Sequence, residues 1–513
     1  MPGVAWVIAA LVALLSGCAS LPSLEARSQS VAMTDTAATR LGRAVAQDIS
    51  AHPGKTGIHA LPVSSDAFAA RVLLAAAAEK SLDIQYYVWH DDQTGYLLYE
   101  AAWRAAERGV RVRILLDDAN TKGLDETIAA LDAHPNIEVR LYNPLMQRNA
   151  RLLDFATDFT RVNRRMHNKS FTADNQASIV GGRNVGNEYF AAGEGVAFAD
   201  LDVVAIGPVV REVSAEFDLY WNSPSAYPAA LVIGPACPDA AEKLEARFAE
   251  ARADPQSVAY SKAVRETPLV QDLLAGRLPF EWASAQVVSD HPAKTLDVTG
   301  RTDVLLLSEL LPAIGRPETS FDLVSPYFVP GDEGTAALQR LARGGVKVRV
   351  LTNSLAATDV AAVHAGYAKR RCDLLESGVE LYELKPSASV EATKTKGKAG
   401  SSSAVQLHAK TFALDRRRIF VGSFNFDQRS AHLNTEMGLV IDSPALAQRV
   451  SATLDEGLAT TAYQVRIAAD GRCPDWVERT PAGEVLYDVE PVTSAGQRAW
   501  IQFLEGLPIE WLL

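Results

Sequence analysis

The stretch that decides the fold is His167-Asn168-Lys169-Ser170-Phe171-Thr172-Ala173-Asp174, followed by Gly181-Gly182-Arg183-Asn184. A second copy begins at His408, with Lys410, Asp415 and then Gly422-Ser423-Phe424-Asn425. In both copies Lys stands two residues after His, Asp seven after and Asn seventeen after. A lone His-x-Lys is ordinarily a solvated strand edge, and a glycine pair ordinarily a turn. With each fixed position matched by chance in roughly one case in twenty, repetition of the whole pattern excludes coincidence. The chain is an internal duplication in which two copies share one site.

The spacing already carries a chemistry. On an extended strand, residues two apart face the same way, so each histidine presents its imidazole beside an ammonium. Imidazole titrates near neutral pH and can attack phosphorus or move a proton, while lysine is a compact charge for non-bridging phosphate oxygens. The small residues let backbone approach a bulky anion, and Asn184 and Asn425 can donate amide N–H groups to it. Asp174 and Asp415 complete the repeated set and read as loop-holding groups rather than reacting ones. No Cys/His cluster has zinc spacing, so neither a metal nor another cofactor is expected.

Outward from the motifs, the duplication continues. Ser81-Leu-Asp-Ile-Gln-Tyr-Tyr reads as a buried strand, Tyr96 to Arg108 as a helix and Gly109 to Leu116 as a strand. Ser320 to Tyr327, Gly334 to Arg343 and Gly345 to Leu351 repeat that order, and Ile137 to Tyr142 corresponds to Val379 to Tyr382. At 513 residues two domains are the natural division. Alternating strands and helices predict two homologous layered α/β/α domains, 57–228 and 296–513. A mostly helical segment, 229–295, interrupted by Pro238, Pro255, Pro268, Pro279 and Pro292, joins them. Leu278 to Trp282 and Leu507 to Trp511 read as short docked helices. Residues 387–404 read as a low-complexity loop before the second motif.

The N-terminus reads as an address. Val4 to Leu15 is an uncharged apolar run too short to span a bilayer, ending at Leu15-Ser16-Gly17-Cys18. This predicts a lipoprotein signal over 1–18, acylation of Cys18 and a polar tether over 19–56; an ordinary secretory signal is the alternative. Cys237, Cys372 and Cys473 allow one disulfide without identifying its partners. A net charge of −12 disfavours long polyanions, so nucleic acid is not an expected partner.

Both copies resemble the HxKx4Dx6GGxN signature of the phospholipase D superfamily, the second with Ser423 in place of the second glycine. Gln85-Tyr-Tyr-Val-Trp-His-Asp-Asp92, Leu116-Asp-Asp-Ala-Asn-Thr121 and Arg165 to Gln176 resemble, more narrowly, the bacterial cardiolipin synthases of the type C class. That resemblance implies two domains related by pseudo-twofold symmetry with the active site at their interface. It implies that His167 attacks the phosphorus of a phospholipid to give a phosphatidyl-histidine, and that His408 protonates the departing alcohol and then deprotonates the acceptor. Lys169, Lys410, Asn184 and Asn425 surround the phosphoryl oxygens. Glu436, in Asn434-Thr-Glu436, is then the carboxylate that orients His408, and Asp202, in Asp200-Leu-Asp202, its analogue for His167.

The implied reaction is phosphatidyl transfer to phosphatidylglycerol, with phosphatidylethanolamine as an alternative donor and a protein partner as an open requirement. Hydrolysis to phosphatidic acid uses the same residues and stays open. A nuclease is weakened by the acidic balance and a non-enzymatic scaffold by the intactness of both motifs. The expected location is the bacterial cell envelope, periplasm-facing and held to the membrane through Cys18. His90, Glu188, His364 and Tyr367 read either as pocket-lining or as structural groups. Asp290 to Lys294 has the wrong spacing for a third motif and reads as a loop.

Overall fold

The computed structural model describes residues 21–192, 197–274, 277–296, 300–386, 405–471 and 473–513. Cys18 and the loop 387–404 lie outside the described residues. The strands of the first half are β1 (Thr56–Leu61), β2 (Ser81–Tyr86), β3 (Arg111–Asp117), β4 (Ile137–Tyr142), β5 (Ser170–Ala173), β6 (Ala177–Gly181), β7 (Ala197–Ala199), β8 (Asp202–Ile206) and β9 (Ala226–Pro228). Then come β10 (Glu281–Ser289), β11 (Ser320–Val324), β12 (Lys347–Asn353), β13 (Glu380–Leu384), β14 (Val405–Leu407), β15 (Thr411–Leu414), β16 (Arg418–Gly422), β17 (Met437–Asp442), β18 (Ala462–Arg466), β19 (Asp475–Thr480) and β20 (Gly483–Tyr487).

The pairings make one continuous sheet whose order is close to a palindrome. From one edge it runs β9-β4-β3-β2-β5-β6-β8-β1, and across the antiparallel β1–β10 pair it continues β10-β17-β16-β15-β11-β12-β13-β18-β19-β20. β2-β3-β4 and β11-β12-β13 are the parallel triplets of the two halves. They are buried on both faces, and the charged residues that interrupt their apolar runs are paired across neighbouring strands, Arg113 with Asp83 and Arg349 with Asp322. The helices Gln93–Glu107 and Gly331–Arg343 are the crossovers between the first two strands of each triplet. The pseudo-twofold therefore passes between β1 and β10, and the sheet does not break at the domain junction.

Two expectations are corrected. Leu278 to Trp282 does not dock as a short helix: Glu281 and Trp282 open β10, which pairs with β1 on one side and β17 on the other. Its alternating sequence fits a strand with two partners, which a helical reading could not provide. The segment expected to be a polar tether is also ordered. Arg27 donates to the carbonyls of Ser223, Asn222 and Ala226, and Thr39 caps the helix Arg40–Ala51. Ser28 and Ser30 carbonyls accept from Arg140 and Arg113, two buried guanidiniums on β4 and β3 that need such partners. Among the described residues Cys372 and Cys473 form a disulfide, closing a separation of 101 residues, and Cys237 is free and exposed. Glu510–Leu512 is a short 3-10 helix, in keeping with the reading of that segment. Among the described residues no helix is long and apolar enough to cross a membrane.

Candidate active site

Each motif is a hairpin entered by its histidine: β5–β6 in the first half and β15–β16 in the second. The two aspartates sit at the tips of these hairpins, Asp174 at φ 53° and Asp415 at φ 53°. Asp174 accepts backbone N–H groups from Glu79, Lys80 and Ser81, and Asp415 those of Glu318, Thr319 and Ser320. These carboxylates pin the start of the first strand of each triplet to its hairpin. Of the repeated set, Asp174 and Asp415 are thus occupied by structure and take no place in the cleft.

The histidines come together in a cavity of about 350 Å³ between the halves, also lined by Asn184, Asn425, Tyr189, Tyr327 and Arg429. The backbone N–H of His167 donates to Thr435 O at 2.8 Å, and its Nδ1 meets Glu436 Oε2 at 2.8 Å. The backbone N–H of His408 donates to Ala199 O at 2.8 Å, and its Nδ1 meets Asp200 Oδ2 at 2.5 Å. In both cases the strand bearing the histidine runs against the other domain, at the Met166–Thr435 bridge and the β7–β14 pair, and the next residue of that other domain supplies the acid.

This corrects the expected acid assignment in two respects. Glu436 orients His167, not His408, because the carboxylates cross the pseudo-twofold. The partner of His408 is Asp200, not Asp202. Asp202 is fully buried and spent on the first-domain core, at 2.9 Å from Arg71 Nη2 and accepting the Arg183 N–H. The register could have found Asp200: Gly181 pairs with Asp202 and Gly422 with Gly438, so the residues two before those partners are Asp200 and Glu436. Counting from the histidines does not find it, because the loops before β8 and β17 differ in length.

The same register explains the one departure from the motif. A Cβ on Gly182 would lie 2.3 Å from Asp200 Oδ1, so the shorter acid requires glycine. Ser423, at the equivalent place, donates its hydroxyl to Glu436 Oε2, whose other oxygen accepts from Ser430. Behind Glu436, its backbone N–H donates to Asp290 Oδ2, and Lys294 Nζ lies 2.9 Å from Asp290 Oδ1. The stretch read as a loop is therefore a buried ion pair bracing Glu436.

Electrostatics follow from burial. Lys169 and Lys410 are buried beside the imidazoles, each donating to the carbonyl of its own motif histidine. Burial pushes Lys169 down to about 7 and Lys410 to about 8. Burial and the two ammoniums hold His167 well below the ordinary imidazole range, and His408 at about 4. Burial raises Glu436 to about 7. Burial also opposes ionisation of Asp200, but His408 and Lys410 outweigh it and hold that carboxyl below its usual range. The two acids therefore differ: Asp200 is a standing anion, whereas Glu436 is near balance at neutral pH.

Asn184 accepts the Val88 N–H and donates to Tyr189 Oη, while Asn425 Oδ1 is buried without a hydrogen-bond partner among the described residues. Arg429, which no sequence signal singled out, reaches Asn163 of the first half from the helix Gln428–His432. His364 is buried against Glu490 and Arg371, and Tyr367 packs beside it. His90 pairs with Glu188 at 3.0 Å. Those two histidines are thus engaged with carboxylates. The cavity presents two imidazoles, two amides and the Arg429 guanidinium beside the carboxylates of Asp359 and Asp427, with the Lys169 and Lys410 ammoniums buried next to the imidazoles; the cationic and amide groups suit an anion.

A family model described as "Cardiolipin synthase, PLD-like domain" matches residues 73–221 and 310–457. Cardiolipin synthase C of Escherichia coli is 47% identical over 475 residues, covering 92% of this chain and 100% of that protein. Cardiolipin synthase A of Pseudomonas syringae is 26% identical over 74% of this chain and 64% of its own length. Among solved structures, phosphatidylserine synthase of Haemophilus influenzae superposes with a TM-score of 0.58 at 14% identity, over 93% of this chain and 100% of that one, a likeness of fold.

Proposed function

Because this chain belongs to the phospholipase D-like cardiolipin synthase family, we propose that it is a phosphatidyltransferase that moves a phosphatidyl group to the free hydroxyl of phosphatidylglycerol. The observation that carries this reading is the pair of histidines in one cleft, each held at Nδ1 by a carboxylate of the opposite domain. With Nδ1 so engaged, Nε2 is the nitrogen of each ring left for the reaction, and Lys410 Nζ lies 3.1 Å from that of His408.

His167, kept neutral by burial and the ammoniums, attacks phosphorus, and the P–O bond to the departing alcohol breaks. His408 gives its proton to that alcohol. Burial and Lys410 hold His408 neutral as well; the arriving phosphodiester anion favours its protonated form, and the Asp200 carboxylate stabilises the imidazolium. The acceptor hydroxyl then passes its proton to His408 and attacks phosphorus, and the P–N bond breaks with its electron pair returning to His167. Lys169 and Lys410 offset the charge that develops on the non-bridging oxygens, and Asn184 and Asn425 line the same cavity. Splitting one displacement into two gives each step a good nucleophile and a protonated leaving group.

Attachment through an acylated Cys18 places the cleft near its lipid substrate, and the Cys372–Cys473 disulfide favours an oxidising compartment such as the periplasm. The donor is phosphatidylglycerol or phosphatidylethanolamine, and a protein partner remains part of the proposal to be tested. The experiment uses the chain without residues 1–18, isotopically labelled phosphatidylglycerol with and without phosphatidylethanolamine, and a His167→Ala control. Mass spectrometry of the products is expected to find cardiolipin that depends on His167, its label pattern identifying the donor. Phosphatidic acid as the sole product would replace transfer by hydrolysis.

A further inference from the structure

The last residues of the chain form part of the wall of the catalytic cavity. The helix Ala495–Glu505 lays Ile501 and Leu504 against Leu355 and Ala365, the latter in the helix Ala361–Ala368. Beyond it, Lys369 Nζ donates to Leu507 O at 3.2 Å, and Arg370 pairs with Glu510 at 3.0 Å. Arg429 then fixes the final turn: its Nε donates to Leu512 O at 2.9 Å and its backbone N–H to Leu513 O at 2.7 Å. The same guanidinium donates through Nη2 to Asn163 Oδ1 of the first domain at 2.6 Å. Leu512 and Leu513 are thereby held in the lining of the cavity that contains His167 and His408, together with Val360 and Val363. Both leucines are partly exposed, which for apolar side chains at a cleft leaves surface for a further apolar group to cover.

The chemistry of a covalent intermediate makes such a wall consequential. Phosphatidyl-histidine can be taken by a lipid hydroxyl or by water, and the reacting groups are the same for both: the incoming O–H gives its proton to His408 as the P–N bond to His167 breaks. Water is in great excess, so transfer prevails only if the acceptor is bound and water is displaced. An apolar wall does both, since it buries the glycerol and acyl stems of a lipid acceptor and offers water no hydrogen bond.

Resting on the phosphatidyl-transfer reading, we infer that Leu512 and Leu513 are specificity-determining residues that commit the intermediate to a lipid hydroxyl rather than to water. The ratio of phosphatidic acid to cardiolipin reads this directly, because it does not depend on how much enzyme is folded. The full chain, purified in detergent and returned to vesicles of labelled phosphatidylglycerol, is compared with Leu512→Ala, Leu513→Ala and the double variant. The ratio is expected to rise on the order of tenfold in the double variant, the scale on which lost apolar contacts alter selection between substrates. Leu513→Met, which keeps the apolar volume, restores a ratio near that of the unaltered protein. An unchanged ratio in the His167-dependent products of the double variant, at high or low total turnover, overturns the inference while leaving phosphatidyl transfer intact. If the unaltered protein makes no His167-dependent cardiolipin, the transfer reading itself fails and this one with it.

Discussion

Replacing Asp200 by Asn tests the crossed pairing of acids and histidines most directly. Asp200 is 6% exposed, and its Oδ2 lies 2.5 Å from His408 Nδ1. A hydrogen bond to a charged group contributes about 1.5–3 kcal/mol. If that contribution is lost only when His408 carries its proton, kcat falls about ten- to a hundredfold, at roughly 1.4 kcal/mol per factor of ten. The amide also cannot favour the working tautomer as the carboxylate does, and in a comparable triad that exchange lowers kcat by about 10⁴. The expected loss therefore lies between about tenfold and ten-thousandfold. The assay is cardiolipin formation from labelled phosphatidylglycerol at saturating lipid, with the melting temperature of the same preparation measured alongside. Asp202→Asn is the control. It leaves Arg71 uncompensated in the core, which costs about 3–5 kcal/mol of stability, and alters kcat little per folded molecule. If Asp200→Asn retained the rate of the unaltered protein while Asp202→Asn abolished it without loss of stability, the crossed assignment would be wrong.

Other outcomes follow from the same geometry. Gly182→Ala forces a methyl group to 2.3 Å from Asp200 Oδ1, so it should lower kcat much as Asp200→Asn does, whereas Ser423→Gly, which removes one donor to Glu436, should cost less; parallel rate measurements on the two variants check the order. The profile of kcat/KM, which reports the free enzyme, should fall as pH rises through the range in which Lys169 at about 7 and Lys410 at about 8 lose their charge. Its acid limb should lie well below the ordinary histidine range, because burial resists protonation of His167; a flat alkaline side would remove the lysines from anion binding. Cys372→Ser or a reductant should lower stability by about 4–5 kcal/mol on the chain-entropy account of a loop of this length, read as a denaturant midpoint with and without reductant.

The sequence by itself determined the duplication, the α/β class and the identity of the motif residues, and the reason is local. His-x-Lys on a strand, an aspartate at the hairpin tip and a glycine pair at its close are each set by near neighbours in the chain, and two copies at equal spacing expose the pattern. The crossovers Gln93–Glu107 and Gly331–Arg343 were legible for the same reason, as helical periods between apolar strands. What only the tertiary structure decided are the relations between the copies. Asp200 and Glu436 each reach the histidine of the other half, because β7 pairs with β14 and Met166 with Thr435, contacts more than two hundred residues apart in the chain. β10 was hidden in a segment that reads as a connection, since a strand whose neighbours are β1 and β17 has no partner nearby in sequence. Asp202 and Asp200 are indistinguishable as residue types two positions apart. Arg71 at one and His408 at the other separate a core ion pair from a carboxylate held against a cleft histidine, and both partners arrive through space.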